Sequence, residues 1–205
     1  MGLYAIGDLH FSTENPKPMN IFGDNWDNHE KKIADNWNET VKDGDTVLVL
    51  GDTSWAMNLN EAKADLDIIE SLPGKKIFIK GNHDYNSKYN DVIENLHIFN
   101  GVQSYIKDNV RIISYELIDD NSTLYNYASF PTDKFNIMLL HGDIYNSNDK
   151  NYIDLKKLQN KNINYFALGH IHKSKSGFIG NSKYAYPGCV LGRGFDEIGE
   201  KGFLV

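Results

Sequence analysis

Cysteine is nearly absent: Cys189 is the single one in 205 residues, so no intrachain disulfide can form and the chain suits a reducing cytoplasm. Without a partner thiol, Cys189 is expected to pack rather than react. No apolar run approaches the roughly 20 residues that a bilayer span needs. The opening MGLYAIGDLH enters a strand-like segment with no basic region or cleavage site before it, which is expected of a cytoplasmic protein rather than a secreted one. Position 6 is Ile where N-myristoylation wants Ser or Thr. No membrane association is expected. Positive charge is scarce too: 21 Lys and Arg against 28 Asp and Glu give a net charge of −7. The Lys pairs at 31–32, 75–76 and 156–157 read as solvated faces, and no basic run extends them. Coating duplex nucleic acid requires clustered cations to neutralise phosphate, so this composition argues against it. No repeat or low-complexity linker interrupts the chain. With 40% hydrophobic residues it can bury one sizeable core, and residues 1–205 are read as a single domain.

In the first half, the apolar runs LYAI, TVLVL and KIFI alternate with two helical patterns. Ile33, Trp37 and Val41 recur at helical spacing, as do Leu66, Ile69 and Leu72. Strands separated by helices imply right-handed crossovers and a mostly parallel sheet. Asn60 is the expected cap of the second helix and the Pro-Gly at 73–74 its stop. Beyond about residue 97 come short strand-like pieces, SYI, VRIISYEL, LYNYASF, NIMLL, YFAL, SGFIG, KYAYPG and GFLV, with a helical stretch only around 152–158. They suggest a second, more antiparallel sheet packed face to face on the first, with helices outside. The polar stretch 144–152 reads as a solvated loop, its other reading being a rim around a site.

Polar residues of one kind recur where the apolar runs stop: Gly7-Asp8-Leu9-His10, Gly51-Asp52, Gly81-Asn82-His83-Asp84, His141-Gly142-Asp143 and Gly169-His170-Ile171-His172. Ligands bind in the crevice beyond the carboxyl ends of strands in open α/β sheets, and glycine lets the backbone turn sharply there. Asp8, His10, Asp52, Asn82, His141, His170 and His172 therefore form a candidate ligand set of carboxylate, amide and imidazole without thiolate, which suits Mn, Fe, Zn or Co. A single catalytic zinc needs about three protein ligands, so seven candidates point to two divalent ions and a bridging carboxylate. Four metal charges against two carboxylates leave an electropositive centre suited to phosphate. His29 and His97 lack this context and read as surface residues.

The blocks GDLH, GDTSW, GNHD, LLHGD and GHIH, in this order, resemble the signature blocks of the calcineurin-like metallophosphoesterases over nearly the whole chain. That resemblance implies an α/β fold, a four-layer α-β-β-α sandwich of two mixed sheets with helices outside, and a dinuclear centre between the strand-end loops. It implies further that Asp8, His10 and His172 ligate one ion, that Asn82, His141 and His170 ligate the other, and that Asp52 bridges them. His83 resembles the family's catalytic histidine, with Asp84 expected to orient its ring. A hydroxide generated on the ions would attack phosphorus in line.

The first ~85 residues resemble a group of predicted bacterial phosphohydrolases. The tail YPGCVLGRGFDEIGEKGFLV more loosely resembles the closing hairpin of other members, including repair nucleases, although no DNA-capping domain like theirs is expected. The function expected is hydrolysis of a phosphorylated small molecule or phosphodiester. The alternatives are a nuclease acting on ends or single strands, and a non-catalytic interaction module on the same fold. Arg193, flanked by glycines, is a candidate phosphate contact, its other reading being a surface ion pair with Asp196 or Glu197.

Overall fold

The computed structural model describes residues 2–17, 21, 24–84, 96–98, 103–115, 122–126, 129–190, 197 and 201–205. The first sheet runs β1 (Leu3–Ile6), β2 (Thr46–Leu50), β3 (Lys75–Ile79), β4 (Leu96–Ile98), every neighbouring pair parallel. In register, Ile6 faces Val49 and Leu50 faces Ile79. The three following loops therefore leave the sheet at one edge, which is where the polar blocks gather.

Helices α1 (His29–Thr40) and α2 (Leu59–Ser71) supply the crossovers after β1 and β2. Ile33 and Trp37 of α1 and Ala62, Leu66 and Ile69 of α2 are buried against the outer face of the sheet with Ile6, Val47, Val49 and Phe78. The cap of α2 is Asn58, not Asn60: its side-chain oxygen accepts the Glu61 N–H at 3.1 Å, the three-residue reach of a cap, while Asn60 already lies inside the helix. Lys76 is not on a solvated face. It is 3% exposed, and its ammonium donates to the carbonyls of Glu70 and Leu72 at the end of α2, where a cation meets the negative end of the helix dipole.

The second sheet runs β5 (Gln103–Lys107), β6 (Val110–Ser114), β7 (Phe135–His141), β8 (Tyr165–Gly169), β10 (Ser182–Tyr186), β9 (Lys175–Ile179). Only its two edge pairs are antiparallel and the three central pairings are parallel, so it is the more antiparallel of the two sheets, as expected, around a parallel centre. Connection length is the reason. Tight turns at Asp108-Asn109 and Gly180-Asn181 can only reverse the chain, whereas the long segments after β6 and β7 allow crossovers. Part of the LYNYASF stretch forms the short helix α3 (Ser122–Asn126), and the helical stretch expected around 152–158 is one 3-10 turn, Leu155–Leu158.

Three apolar layers tie these elements together. Leu48, Leu50, Ile77 and Ile79 of the first sheet meet Ile112, Ile137, Leu139 and Ala167 of the second. The outer face of the second sheet is covered by Leu124 of α3 and by Ile153, Leu155 and Leu158. The order is helices, sheet, sheet, helices: a four-layer sandwich. Among the described residues no helix is long and apolar enough to cross a membrane.

Candidate metal centre

The strand-end loops converge through unusual backbone. Asp8, His10, Asp52 and His170 all have positive φ, at 55°, 53°, 50° and 95°, a conformation that costs non-glycine residues free energy and clusters at functional sites. Cross-links hold it in place. Asp8 N–H donates to Gly51 O and His10 N–H to Asp52 O, both at 3.0 Å, and Phe11 N–H donates to Thr53 O at 2.9 Å. Beneath them Asp65 of α2, 1% exposed, accepts from the Thr13 N–H at 2.9 Å and from the Ser54 hydroxyl. Two glycines permit the close approach: a Cβ on Gly81 would collide with Asp52, and one on Gly169 with the Leu50 carbonyl.

All seven candidate ligands lie in this cleft. His10 Nε2 stands 3.5 Å from His172 Nε2, and His172 Nε2 stands 3.4 Å from Asp8 Oδ1. In a second group, His141 Nε2 is 3.3 Å from Asp52 Oδ2 and 3.2 Å from Asn82 Oδ1, and the same amide oxygen is 3.1 Å from His170 Nδ1. Nitrogen ligands ~2.0–2.1 Å from one tetrahedral ion stand roughly 3.3–3.4 Å apart, so these spacings are those of coordination edges. Asp8 Oδ1 is buried without a hydrogen-bond partner, an orphaned acceptor that a cation would satisfy. By both criteria the donors fit divalent metal.

The imidazoles are aimed by what lies behind them. His141 donates from Nδ1 to the Leu50 carbonyl at 2.7 Å, so in the neutral ring that a metal would bind the lone pair sits on Nε2, facing the cleft. His172 Nδ1 lies 2.7 Å from Glu197 Oε1, and His170 Nε2 lies 3.6 Å from Asp149 Oδ2. Asp149 sits in the loop at 144–152, which thereby forms part of the rim of the site, and the sequence offers Glu197 only as a partner for Arg193, which lies outside the described residues. His29 is not the surface residue its sequence context suggests. It is instead 3% exposed, with Nε2 3.2 Å from the His10 carbonyl and Nδ1 3.1 Å from Glu30. His97 falls in β4, its side chain outside the described residues.

His83 is exposed; its N–H donates to Asp52 Oδ1 at 2.9 Å and its ring lies against Trp55, with centroids 4.4 Å apart. Asp84 binds backbone. Its carboxylate accepts from the backbone N–H groups of Thr53, Ser54 and Gly81 at 2.8, 3.1 and 2.9 Å, so it anchors the His83 loop to the Asp52 loop.

Burial followed by the nearby Asp52 charge pushes the Asp84 carboxyl up to about 6. Asp52 is held well below the usual carboxylate range: burial opposes its charge, but His141 outweighs it. Burial likewise opposes a proton on His141, yet the Asp52 charge and hydrogen bond raise that imidazole to about 9. Over the centre opens a cavity of about 310 Å³ lined by His83, His170, Ile171, His172, Lys173 and Glu197.

A family model for the calcineurin-like phosphoesterase superfamily domain matches residues 1–203. The chain belongs to that superfamily. It is a metallophosphoesterase domain, a hydrolase by family. An uncharacterized protein of Methanocaldococcus jannaschii is 38% identical over 93 residues, 45% of this chain and 52% of that protein. The uncharacterized metallophosphoesterase YhaO of Bacillus subtilis is 31% identical over 149 residues, 62% of this chain and 35% of that protein. The chain thus spans about half or less of the curated relatives it matches. In fold it resembles the phosphopantetheinyl hydrolase of Mycobacterium tuberculosis, at 11% identity and a TM-score of 0.56, covering 91% of this chain and 89% of that one.

Proposed function

We propose that residues 1–205 act as one metal-dependent phosphoester hydrolase domain with a dinuclear centre, in a reducing cytoplasm that suits the buried Cys189. The observation that carries this is the gathering of seven N and O donors in two neighbouring groups at coordination spacing, one of which contains the orphaned Asp8 oxygen. On this reading Asp8, His10 and His172 hold one ion, Asn82, His141 and His170 hold the other, and Asp52 bridges. Thiolate-free donors favour Mn, Fe, Zn or Co. Two such ions, when bound, would lower the pKa of a water and neutralise phosphate charge.

The remaining work falls to the chain. Asn82 contributes a neutral oxygen, so it adds no charge to repel an incoming phosphate. His83, exposed beside the cleft, passes a proton to the leaving oxygen, and Asp84 keeps its loop in place through the three amides. Lys173 at the cavity wall adds a positive charge that can meet phosphate oxygens. Arg193 remains a candidate for the same task. A cavity of about 310 Å³ is the size of a small-molecule pocket, enough for a phosphorylated small molecule or a small phosphodiester.

The test combines elemental analysis with an activity screen. After Mn²⁺ or Zn²⁺ loading, close to two ions per chain are expected, with hydrolysis of small monoesters or diesters exceeding that of single-stranded DNA. One ion or none in folded protein sinks the dinuclear reading, and preferred cleavage of single strands would make the chain a nuclease.

A further inference from the structure

His172 is gripped from behind at two points by the carboxyl-terminal tail. Its carbonyl accepts from Cys189 N–H at 3.2 Å, from Cys189 Sγ at 3.3 Å and from the Lys201 ammonium at 3.3 Å. Its ring faces Glu197 Oε1 through Nδ1 at 2.7 Å. The other Glu197 oxygen lies 3.6 Å from Cys189 Sγ, which in turn is 3.3 Å from Lys201 Nζ.

A neutral imidazole carries one proton, and the partner of one nitrogen decides which nitrogen keeps a lone pair. With Nδ1–H donated to Glu197, the lone pair sits on Nε2, the atom 3.4 Å from Asp8 Oδ1 and 3.5 Å from His10 Nε2. Without that carboxylate the proton is free to occupy Nε2, facing the position where a cation would bind.

We propose that Glu197 is a positioning residue for His172, through which the tail supports metal at the Asp8–His10–His172 group and not at the Asn82–His141–His170 group. This rests on the metal-centre reading above. The second group owes nothing to Glu197, because His141 is fixed by the Leu50 carbonyl and His170 faces Asp149. The tail is thereby tied to one half of the centre only.

The experiment uses the full chain stripped of metal, as wild type, Glu197→Gln and Glu197→Ala. Long-range ¹H–¹⁵N spectra of the imidazoles read the His172 tautomer with no metal present. Calorimetric titration with Mn²⁺ then reads the two binding events. Expected is an Nδ1–H tautomer in wild type and in Glu197→Gln, whose amide oxygen still accepts, and a tautomer mixture in Glu197→Ala. One Mn²⁺ event should weaken roughly 10–100-fold in Glu197→Ala, the usual effect of losing such a partner, while the other event stays within about twofold and Glu197→Gln remains close to wild type.

An unchanged tautomer in Glu197→Ala, equal weakening of both events, or a Gln variant as impaired as the Ala variant overturns the proposal. Wild type that binds no Mn²⁺ while showing the expected tautomers overturns the metal reading and, with it, the claim that the tail supports an ion. The spectra would then still decide the Glu197–His172 contact, so the two failures are distinguishable.

Discussion

Replacing Gly81 with alanine tests whether the close approach of the β2 and β3 ends builds the site. The added methyl would collide with Asp52, meeting both its backbone nitrogen and its Oδ1. Neither can give way cheaply, because Asp52 is 2% exposed and the same Oδ1 accepts the His83 N–H. Overpacking of this kind costs about 1–3 kcal/mol, and a chain of this size loses roughly 2–4 °C in Tm per kcal/mol. The control is Gly74→Ala at the opposite end of β3. Gly74 has φ +84° and its methyl would meet Val41 Cγ1 at 2.8 Å, so its left-handed backbone alone should cost about 1–2 kcal/mol. Both variants should lose similar stability in thermal melts, while only Gly81→Ala should lose bound metal by elemental analysis, since it alone displaces the proposed bridge. Equal metal retention in the two variants would refute the argument that this contact shapes the centre.

His83→Ala is expected to lower kcat by roughly 10²–10⁴, the range for a lost acid–base group, with metal content unchanged. Loss of metal would make His83 structural. The stability of the metal-free protein should fall as pH rises from about 4 to 9. Asp84, raised to about 6, contributes fully below its ordinary 3.8 and loses that contribution as pH passes 6. His141, raised to about 9, contributes fully below 6.5 and loses it as pH passes 9. Denaturant melts across this range should show the decline, its upper part disappearing in His141→Gln; a melt as steep there in the variant would assign it elsewhere.

The ligand blocks were legible because metal chemistry demands particular side chains beside glycine at strand ends, and both signals are local. So were α1, α2 and the parallel first sheet, whose periodicities need only a few residues of context. The mixed character of the second sheet is legible in its density of short strands, but which of its pairings are parallel is not, because short apolar runs do not reveal whether a connection reverses or crosses over. Glu197 and Asp149 were invisible as partners of the GHIH histidines, since a carboxylate in a loop is ordinary until folding brings an imidazole to it. Adjacency in sequence makes Asp84 look like a partner for His83, whereas the convergence of two loops, which sequence does not reveal, supplies it with three backbone amides. His29 and Lys76 carried a polar residue's expectation of solvent. Tertiary structure reversed it by supplying carbonyls from other segments, those of His10, Glu70 and Leu72. The sequence by itself determined the donor atoms and the strand ends that carry them. Only packing decided which nitrogen of each histidine faces the centre, because that choice belongs to a partner distant in the chain.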